Sequence, residues 1–382
     1  MSGVLVHEWI EKAGGAEKVV DCLSEMMPSA DIVCLWNDAP DRYGSRVVRE
    51  SALSSSRLRH NKALCVPVAP LVWRRQRNAG YTWALISTHL FAHHARFSPG
   101  TPDFEKLLYV HTPARYLWAT EYDPRGRKPL VRLAGPALRA LDRVRAKEAT
   151  LIAANSSFVA DRIADSWGLE STVIHPPVEV SRIQEVSDWR THLTDEELDV
   201  LAALPSGFLL GASRMVEYKR LDIVIRAGAD TGMPTVIVGT GPDEQRLRDY
   251  ADSIHPSTIF LGRVSDALLY ALFQACSAFV FPPVEDFGII PVEAMAAGAV
   301  VVGNRVGGVR ETVIDGVTGA LADMRDRSSV KYAVDRALSC DSALARTRAA
   351  EFSTDVFKKR IVEWAGYERF RQSGMEPLYE NA

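Results

Sequence analysis

Two glutamates eight positions apart, Glu285 and Glu293, have the residue types and spacing to bind a hydroxylated ligand. Residues 278–281 before them read as a short buried strand, and residues 292–297 read as a helix. Glu285 is therefore expected at the C-terminal edge of a strand, and Glu293 about two turns into the next helix. Ligands bind at that edge in open α/β sheets, where carboxylates suit sugar hydroxyls and the exposed N–H groups of residues 287–290 suit a phosphate.

Two cations, Arg214 and Lys219, follow a second predicted strand at residues 208–212. An arginine fork and a lysine point charge could converge on a diphosphate and offset the charge that develops on a leaving nucleoside diphosphate. The alternative is an ordinary solvated basic loop.

Composition limits the class of protein. A chain of 382 residues suits two domains, and 47% apolar and 24% charged residues are typical of a globular protein. A net charge of −3 does not indicate a nucleic-acid partner. Five scattered cysteines without a Cys-x-x-Cys pair argue against a zinc site and a disulfide framework. They fit a reducing cytosol, and the apolar stretch at residues 4–6 is too short for a signal peptide.

Short apolar segments alternate with helical ones along the chain, which predicts an α/β protein with parallel sheets covered by helices on both faces. Residues 41–80 read as irregular, and residues 354–373 as one C-terminal helix. The consecutive prolines Pro176 and Pro177 close the first series of strands. The predicted strands of the two series are residues 4–6, 31–36, 83–87, 106–110 and 150–154, then 208–212, 235–238, 259–261, 278–281 and 300–302.

The segment from Glu285 to Gly298, with Phe287-Gly288 and Glu293-Ala-Met-Ala-Ala-Gly298, resembles the signature of retaining, nucleotide-sugar-dependent glycosyltransferases of the GT-B fold, similar to glycosyltransferase family 4. The resemblance implies two Rossmann-like domains facing each other across a cleft. It implies an acceptor-binding domain at residues 1–185, a nucleotide-sugar domain at residues 186–355, and a helix at residues 356–382 that crosses back to the first domain.

The resemblance also implies roles for the charged residues. Arg214 and Lys219 would stabilise the leaving diphosphate. Glu285 would hold donor-sugar hydroxyls, and Glu293 the ribose. His111, at the end of a strand, would contact the donor sugar or orient the acceptor.

The remaining donor contacts implied by the resemblance come from backbone. They are a glycine loop over the diphosphate, the loop after Glu285, a strand-to-helix turn lining the nucleotide pocket, and a residue beside the nucleobase. The residues are Gly14, Gly15, Phe287, Gly288, Ile289, Gly239, Gly241 and Val264.

Three other histidines, His89, His93 and His94, are alternatives to His111. As neighbours in a helix, His93 and His94 are expected to face different directions and lack zinc spacing.

The function implied is retaining transfer of a hexose, with GDP-mannose favoured as donor, to a hydroxyl of a glycan, glycolipid or lipid-linked acceptor. The context from Tyr109 to Arg115 resembles bacterial mannosyltransferases of polysaccharide or glycolipid biosynthesis. The alternatives are a UDP- or dTDP-sugar donor, a non-hydrolysing UDP-sugar 2-epimerase, and a non-catalytic nucleotide-sugar-binding partner subunit. No Asp-x-Asp pair occurs in the sequence, so activity is expected without a metal or other cofactor.

Two basic segments, Arg74–Arg77 and Arg125–Lys147, lie in the first half of the chain. They suit anionic lipid headgroups or a lipid-diphosphate acceptor, which predicts a cytoplasmic protein with peripheral contact at the inner face of the membrane. The alternative is a solvated helix face with local salt bridges.

Overall fold

The computed structural model describes residues 2–60, 65, 67–98, 103–120 and 129–374. The chain divides into two compact units. Unit 1 runs to Pro177 and resumes at Asp355, and unit 2 is Val178–Thr354. The division falls after the paired prolines rather than after residue 185. The reason is the helix Val180–Glu185, which buries Val180 and Ile183 in the core of unit 2.

Unit 1 contains a seven-stranded parallel sheet in the order β3-β2-β1-β5-β7-β8-β9. In β1, Val4 and Val6 belong to one buried core and Leu5 to another, because successive side chains point to opposite faces. Both faces are therefore covered, as a parallel sheet requires. The strands of unit 1, including the separate pair β4–β6, are β1 Ser2–His7, β2 Asp31–Cys34, β3 Val48–Glu50, β4 Gln76–Arg77, β5 Tyr81–Thr88, β6 Phe97–Ser98, β7 Glu105–Val110, β8 Leu151–Ala154 and β9 Thr172–Val173.

Unit 2 contains a six-stranded parallel sheet in the order β12-β11-β10-β13-β14-β15. Leu209 and Leu210 of β10 again enter different cores. Its strands are β10 Leu209–Ala212, β11 Thr235–Val238, β12 Thr258–Gly262, β13 Ala278–Phe281, β14 Val301–Asn304 and β15 Gly319–Ala322.

Helices join and cover the strands of each sheet. Unit 1 has the α-helices α1 Gly15–Met26, α2 Ala69–Trp73, α3 Arg115–Trp118, α4 Pro129–Ala146 and α5 Ser157–Trp167. The helices from Val180 to Ala350 are α6 Val180–Glu185, α7 Asp195–Ala202, α8 Leu221–Thr231, α9 Glu244–Ile254, α10 Asp266–Ala275, α11 Ile289–Ala297, α12 Val309–Thr312, α13 Arg327–Ala337 and α14 Ser342–Ala350. Two more, α15 Thr354–Ala365 and α16 Tyr367–Gln372, follow.

Three expectations about the elements were wrong. The region of residues 41–80 is not irregular throughout, since it contains β3, α2 and β4. The C-terminal segment is not one helix, because Gly366 adopts φ 89°, which ends α15 before α16 begins. The strand β15 was not predicted, because residues 319–322 carry two small side chains and a glycine rather than a branched apolar run.

No helix among the described residues is long and apolar enough to cross a membrane.

Candidate functional site

The ion pair between Lys219 and Glu285 lies at the carboxyl edge of the unit 2 sheet. Lys219 ends a short turn after β10, and Glu285 follows β13, the neighbour of β10 in the sheet. The Lys219 Nζ lies 2.6 Å from the Glu285 Oε1, and the two side chains are 16% and 18% exposed. Two charges that are distant in sequence are thus held together where ligands bind in such sheets.

The adjacent cation, Arg220, makes a different contact. Its guanidinium pairs with Asp222, at 3.0 Å from Nη2 to Oδ2. Arg220 precedes α8 and has φ 54°. In the described part of the chain it is the one non-glycine residue with a positive φ. This left-handed residue ends the turn, so Lys219 and not Arg220 faces Glu285.

Arg214 is exposed, and within the described ranges its guanidinium makes no hydrogen bond or ion pair. Its backbone neighbours are fixed. Ser213 N donates to Val238 O at 3.0 Å, and Met215 N donates to Thr240 O at 2.9 Å. The structure therefore holds the loop that carries Arg214 but does not bring its side chain to Glu285.

Gly239 and Gly241 are required by the close approach of the loops that follow β10 and β11. A Cβ atom at Gly239, which has φ 125°, would lie 1.9 Å from Ser213 O, and one at Gly241 would lie 2.1 Å from Met215 O. Packing against the Arg214 loop accounts for both glycines. Their contact with a nucleotide stays a prediction.

The segment Phe287–Ile289 forms the entry to α11. Phe287 is buried against Phe352, and Gly288 takes φ 95° just before the helix starts at Ile289. The first N–H groups of a helix have no partner within it and carry positive partial charge. This helix start, next to Glu285, has the polarity expected for an anion site.

Glu293 is only 6% exposed and is the fifth residue of α11, which begins at Ile289, so it lies a little over one turn into the helix rather than about two. Burial raises the pKa of the nearby Tyr270 hydroxyl, and the charge of Glu293 raises it further. Glu293 is thus a buried carboxylate on the helix that follows Glu285.

Val264 follows β12 and is partly buried against the core of unit 2. Its proposed contact with a nucleobase would use backbone groups, which packing alone does not identify.

In unit 1, Gly14 precedes α1 and Gly15 begins it, and neither residue lies in the left-handed region. Gly14 is extended at φ 170°. The predicted contact of this loop with the diphosphate stays a prediction. A Cβ at Gly14 would lie 2.0 Å from Glu17 Oε2, so the glycine leaves room for the buried Glu17, whose Oε1 accepts from Glu11 N at 3.3 Å.

His111 follows β7 and is half-buried. Its Nε2 lies 2.8 Å from the Ser87 Oγ at the end of β5, and its ring packs 5.3 Å from that of Tyr109. Burial lowers the pKa of His111 well below its usual value, and the nearby His7 and His89 lower it further. His111 is therefore a neutral imidazole at the carboxyl edge of the unit 1 sheet.

The sequence analysis missed Glu8, which organises this edge. Its Oε1 accepts from Thr88 Oγ1 at 2.9 Å and from three backbone amides at 2.8–3.1 Å, and its Oε2 lies 3.2 Å from His89 Nδ1. Burial alone would raise the pKa of Glu8, but His89, His7 and the amides lower it to about 2. A signal was present, since His7 and Glu8 follow the strand at residues 4–6 just as His111 follows residues 106–110.

His93 and His94 do not face different directions, contrary to expectation. Their Nε2 atoms lie 3.0 and 2.9 Å from the same Asp142 Oδ1. They sit in a short 3₁₀ turn rather than an α-helix, and the Asp142 Oδ2 accepts from Trp118 and Trp167 at 2.7 Å each. This largely buried network ties α4 to the rest of unit 1.

Among the residues that the structure describes, two groups of side chains offer atoms of the kind that ligate metals. In each group the ligand atoms lie within 4.8 Å of one another. The groups are His7, Glu8 and His89, and His93, His94 and Asp142. Their contacts to Ser87, Thr88 and the two indoles already satisfy several of these atoms. The expected absence of a metal requirement stays a prediction.

The two basic segments meet at one carboxylate. Arg74 and Arg145 lie 2.7 and 2.8 Å from Glu148, and the buried Lys106 lies 3.2 Å from it. Arg75 and Arg77 are exposed. Residues 125, 127 and 128 of the second segment, and the side chain of Arg132, lie outside what the structure describes.

Comparison with known proteins links part of the chain to a family of glycosyltransferases. Residues 200–353 match the family model for glycosyl transferases group 1. The alpha-1,3/1,6-mannosyltransferase alg-2 of Neurospora crassa is 29% identical over 261 residues, which is 58% of this chain and 55% of that protein. The chain spans about half the length, or less, of the first curated relatives that it matches.

Two solved structures resemble nearly the whole chain. Sucrose-phosphate synthase from Thermosynechococcus elongatus has a TM-score of 0.71 at 18% identity, covering 98% of this chain and 100% of its own. Anabaena HepE in complex with UDP has a TM-score of 0.70 at 16% identity, covering 96% and 100%. At these identities the likeness establishes the fold, and it confirms the predicted two-domain α/β architecture. The chain thus has the GT-B fold, and its residues 200–353 match the family model for glycosyl transferases group 1.

Proposed function

We propose that the protein is a retaining glycosyltransferase that moves a hexose from a sugar nucleotide to a hydroxyl of a glycan, glycolipid or lipid-linked acceptor. The observation that carries the proposal is the Lys219–Glu285 pair beside the start of α11. It places a cation, a carboxylate and helix N–H groups together inside the segment that matches the family.

Each group has a task in this proposal. Lys219 and Arg214 bind the donor diphosphate and stabilise the charge that develops as it leaves. Glu285 accepts hydrogen bonds from donor-sugar hydroxyls, and Glu293 from the ribose. Because Lys219 is paired with Glu285 before the donor binds, diphosphate binding draws the ammonium to phosphate and frees the carboxylate for the sugar.

Retention of configuration follows if the acceptor attacks from the face that the diphosphate leaves. The leaving phosphate oxygen then takes the proton of the attacking hydroxyl, and no enzyme nucleophile is needed. In unit 1, His111 contacts the sugar or the acceptor, and the loop of Gly14 and Gly15 covers the diphosphate.

The donor proposed is GDP-mannose. It is supported by the resemblance of residues 109–115 to bacterial mannosyltransferases and by the activity in the name of the Neurospora relative. The alternative donor is a UDP-sugar, because HepE was crystallised with UDP.

We also propose peripheral contact between the exposed Arg75 and Arg77 and anionic lipid. Flotation with vesicles that contain phosphatidylglycerol, compared with a double variant Arg75→Glu/Arg77→Glu, tests this contact. Flotation of the double variant equal to that of the original protein, or no binding by either, contradicts it.

Thermal unfolding with GDP, UDP, dTDP and ADP, each with and without Mg²⁺, tests the donor site, because a ligand of the native state raises its stability. A metal-independent shift with one nucleotide supports the proposal and selects the donor series for turnover assays. Conversion of the UDP-sugar into its 2-epimer, still linked to UDP, without any acceptor would favour the 2-epimerase. Binding without turnover for any acceptor would favour the non-catalytic subunit.

A further inference from the structure

Ser87 joins two histidines at the carboxyl edge of the unit 1 sheet. It lies near the end of β5, between β1 and β7, and is fully buried. Its Oγ lies 2.8 Å from His111 Nε2 and 3.1 Å from His7 Nδ1. One hydroxyl group thus contacts one nitrogen of each ring.

The position of the hydrogens follows from a second contact of His7. Its Nδ1 lies 3.1 Å from the backbone carbonyl oxygen of Ser87, which can only accept. His7 Nδ1 therefore carries a hydrogen, and the Ser87 hydroxyl cannot donate to it. The remaining acceptor within reach of that hydroxyl is His111 Nε2, and a buried hydroxyl without an acceptor is unfavourable.

His111 Nε2 is then the acceptor of its hydrogen bond, and the single hydrogen of the neutral ring sits on Nδ1. Neutrality is consistent with the lowered pKa of this half-buried histidine, which results first from burial. Among the described residues Nδ1 has no hydrogen-bond partner. The Nδ1–H group of His111 is therefore available to donate a hydrogen bond to a ligand.

We propose that Ser87 and His7 are positioning residues that hold His111 in its Nδ1–H form, so that His111 donates a hydrogen bond to a substrate oxygen rather than accepting a proton as a general base. That the oxygen is a sugar or acceptor hydroxyl rests on the proposed glycosyltransferase function. The assignment of the hydrogens rests only on the contacts within unit 1.

Nitrogen NMR on the full chain with ¹⁵N-labelled histidine measures the tautomers directly. The variant His111→Ala assigns the signals by their disappearance. We expect a pyrrole-type Nδ1 and a pyridine-type Nε2 for His111, and a pyrrole-type Nδ1 for His7. A pyrrole-type Nε2 in His111, or a doubly protonated ring at neutral pH, overturns the inference.

Substitution of the serine tests the link between Ser87 and the ring. Ser87→Ala removes the donor to Nε2, so we expect a mixture of His111 tautomers and about a tenfold lower kcat/KM, the value of one hydrogen bond. Ser87→Thr keeps the hydroxyl and should keep the Nδ1–H form. The matched control is Ser24→Ala, which removes another buried serine hydroxyl of unit 1, bonded to Asp21 O at 2.8 Å.

An unchanged His111 spectrum in Ser87→Ala contradicts the positioning role. The wild-type spectrum needs no substrate and no variant to fold, so it tests the inference separately from the transferase. Failure of every nucleotide to bind counts against the transferase, whereas an Nε2–H ring counts against the inference.

Discussion

The Lys219 ammonium lies 2.6 Å from the Glu285 carboxylate although 66 positions separate the two residues in the chain. The strands that precede them, β10 and β13, are hydrogen-bonded neighbours in a parallel sheet, so their carboxyl ends coincide. The pair is largely shielded from water. The ion pair therefore holds both side chains in position at the place where the sugar-nucleotide donor is proposed to bind.

Removing either partner should abolish most of the proposed activity. We expect Lys219→Ala and Glu285→Ala each to lower kcat by about 100-fold or more, since preorganised charges at a reacting group contribute at least this much. Steady-state turnover with the selected donor measures the effect. Both side chains keep some contact with water, so the partner that remains can be solvated and both variants should stay folded.

The control for that experiment is Arg190→Ala, which removes an exposed cation paired with Asp188 elsewhere in unit 2. It should leave kcat unchanged. Near-normal turnover in both Lys219→Ala and Glu285→Ala would reject the assignment of the site.

Activity should survive removal of divalent metal, because Arg214 and Lys219 are proposed to take the place that a metal holds in enzymes with an Asp-x-Asp pair. Turnover after dialysis against EDTA, with elemental analysis of the dialysed protein, measures this. Complete loss that Mg²⁺ or Mn²⁺ restores would refute it. Retained activity with tightly bound zinc would instead direct attention to His7, Glu8 and His89.

Lys106→Met should raise the free energy of unfolding at neutral pH. Burial lowers the pKa of Lys106 from 10.5 to about 8, although Glu148 opposes the shift. A shift of this size corresponds to about 3 kcal/mol of destabilisation. The cost is fully present below pH 8 and disappears as the pH rises toward 10.5.

Glu148 keeps two arginine partners in that variant, so no charge is left unpaired. We expect a gain of about 1–3 kcal/mol in urea unfolding at pH 7 and a smaller gain at pH 10. A loss of stability at pH 7 would show that the Lys106–Glu148 contact outweighs the cost of burying the ammonium.

Acid should destabilise the protein partly through His94. The pKa of His94 is lowered from 6.5 to about 4, chiefly by burial. The nearby His93 and Lys106 lower it further, whereas Asp142 opposes the shift. Between these values the unfolded chain binds a proton that the folded chain does not. The free energy of unfolding therefore falls as the pH drops from 6.5 to 4, by about 3 kcal/mol in total from this group.

His94→Gln keeps a donor for Asp142 but does not titrate. Its unfolding free energy should therefore depend less steeply on pH across this window. The exposed His192→Gln is the control and should leave the slope unchanged. Equal slopes in all three proteins would mean that His94 already binds its proton near pH 6.5 in the folded state.

Local sequence signals predicted much of the scaffold. Runs of branched and aromatic residues correctly predicted the strands β10, β11 and β13. The helix α11 ends at Gly298, which has φ 104°, as the sequence indicated. Thr194 precedes α7 and forms a capping box with Glu197. Each of these features depends on residues within a few positions of one another.

Contacts between distant residues could not be read in this way. The shared approach of His93 and His94 to Asp142 depends on how α4 packs, and Glu148 brings Arg74 and Arg145 together across the fold of unit 1. The burial of Glu8 likewise requires the amides of residues 89, 90 and 92 to turn toward it. Local sequence patterns do not indicate which of these distant residues contact one another.

Because the chain returns to unit 1 at Asp355, the last part of unit 1 is synthesised after the whole of unit 2. Phe357, Ile361 and Phe370 are fully buried in the same core as Leu5 and Tyr109. They leave the ribosome only after all of unit 2 has emerged. The nascent chain therefore presents a finished second unit while one face of the first sheet still lacks its last apolar side chains. Apolar surface that is exposed in this way favours aggregation of the incomplete first unit.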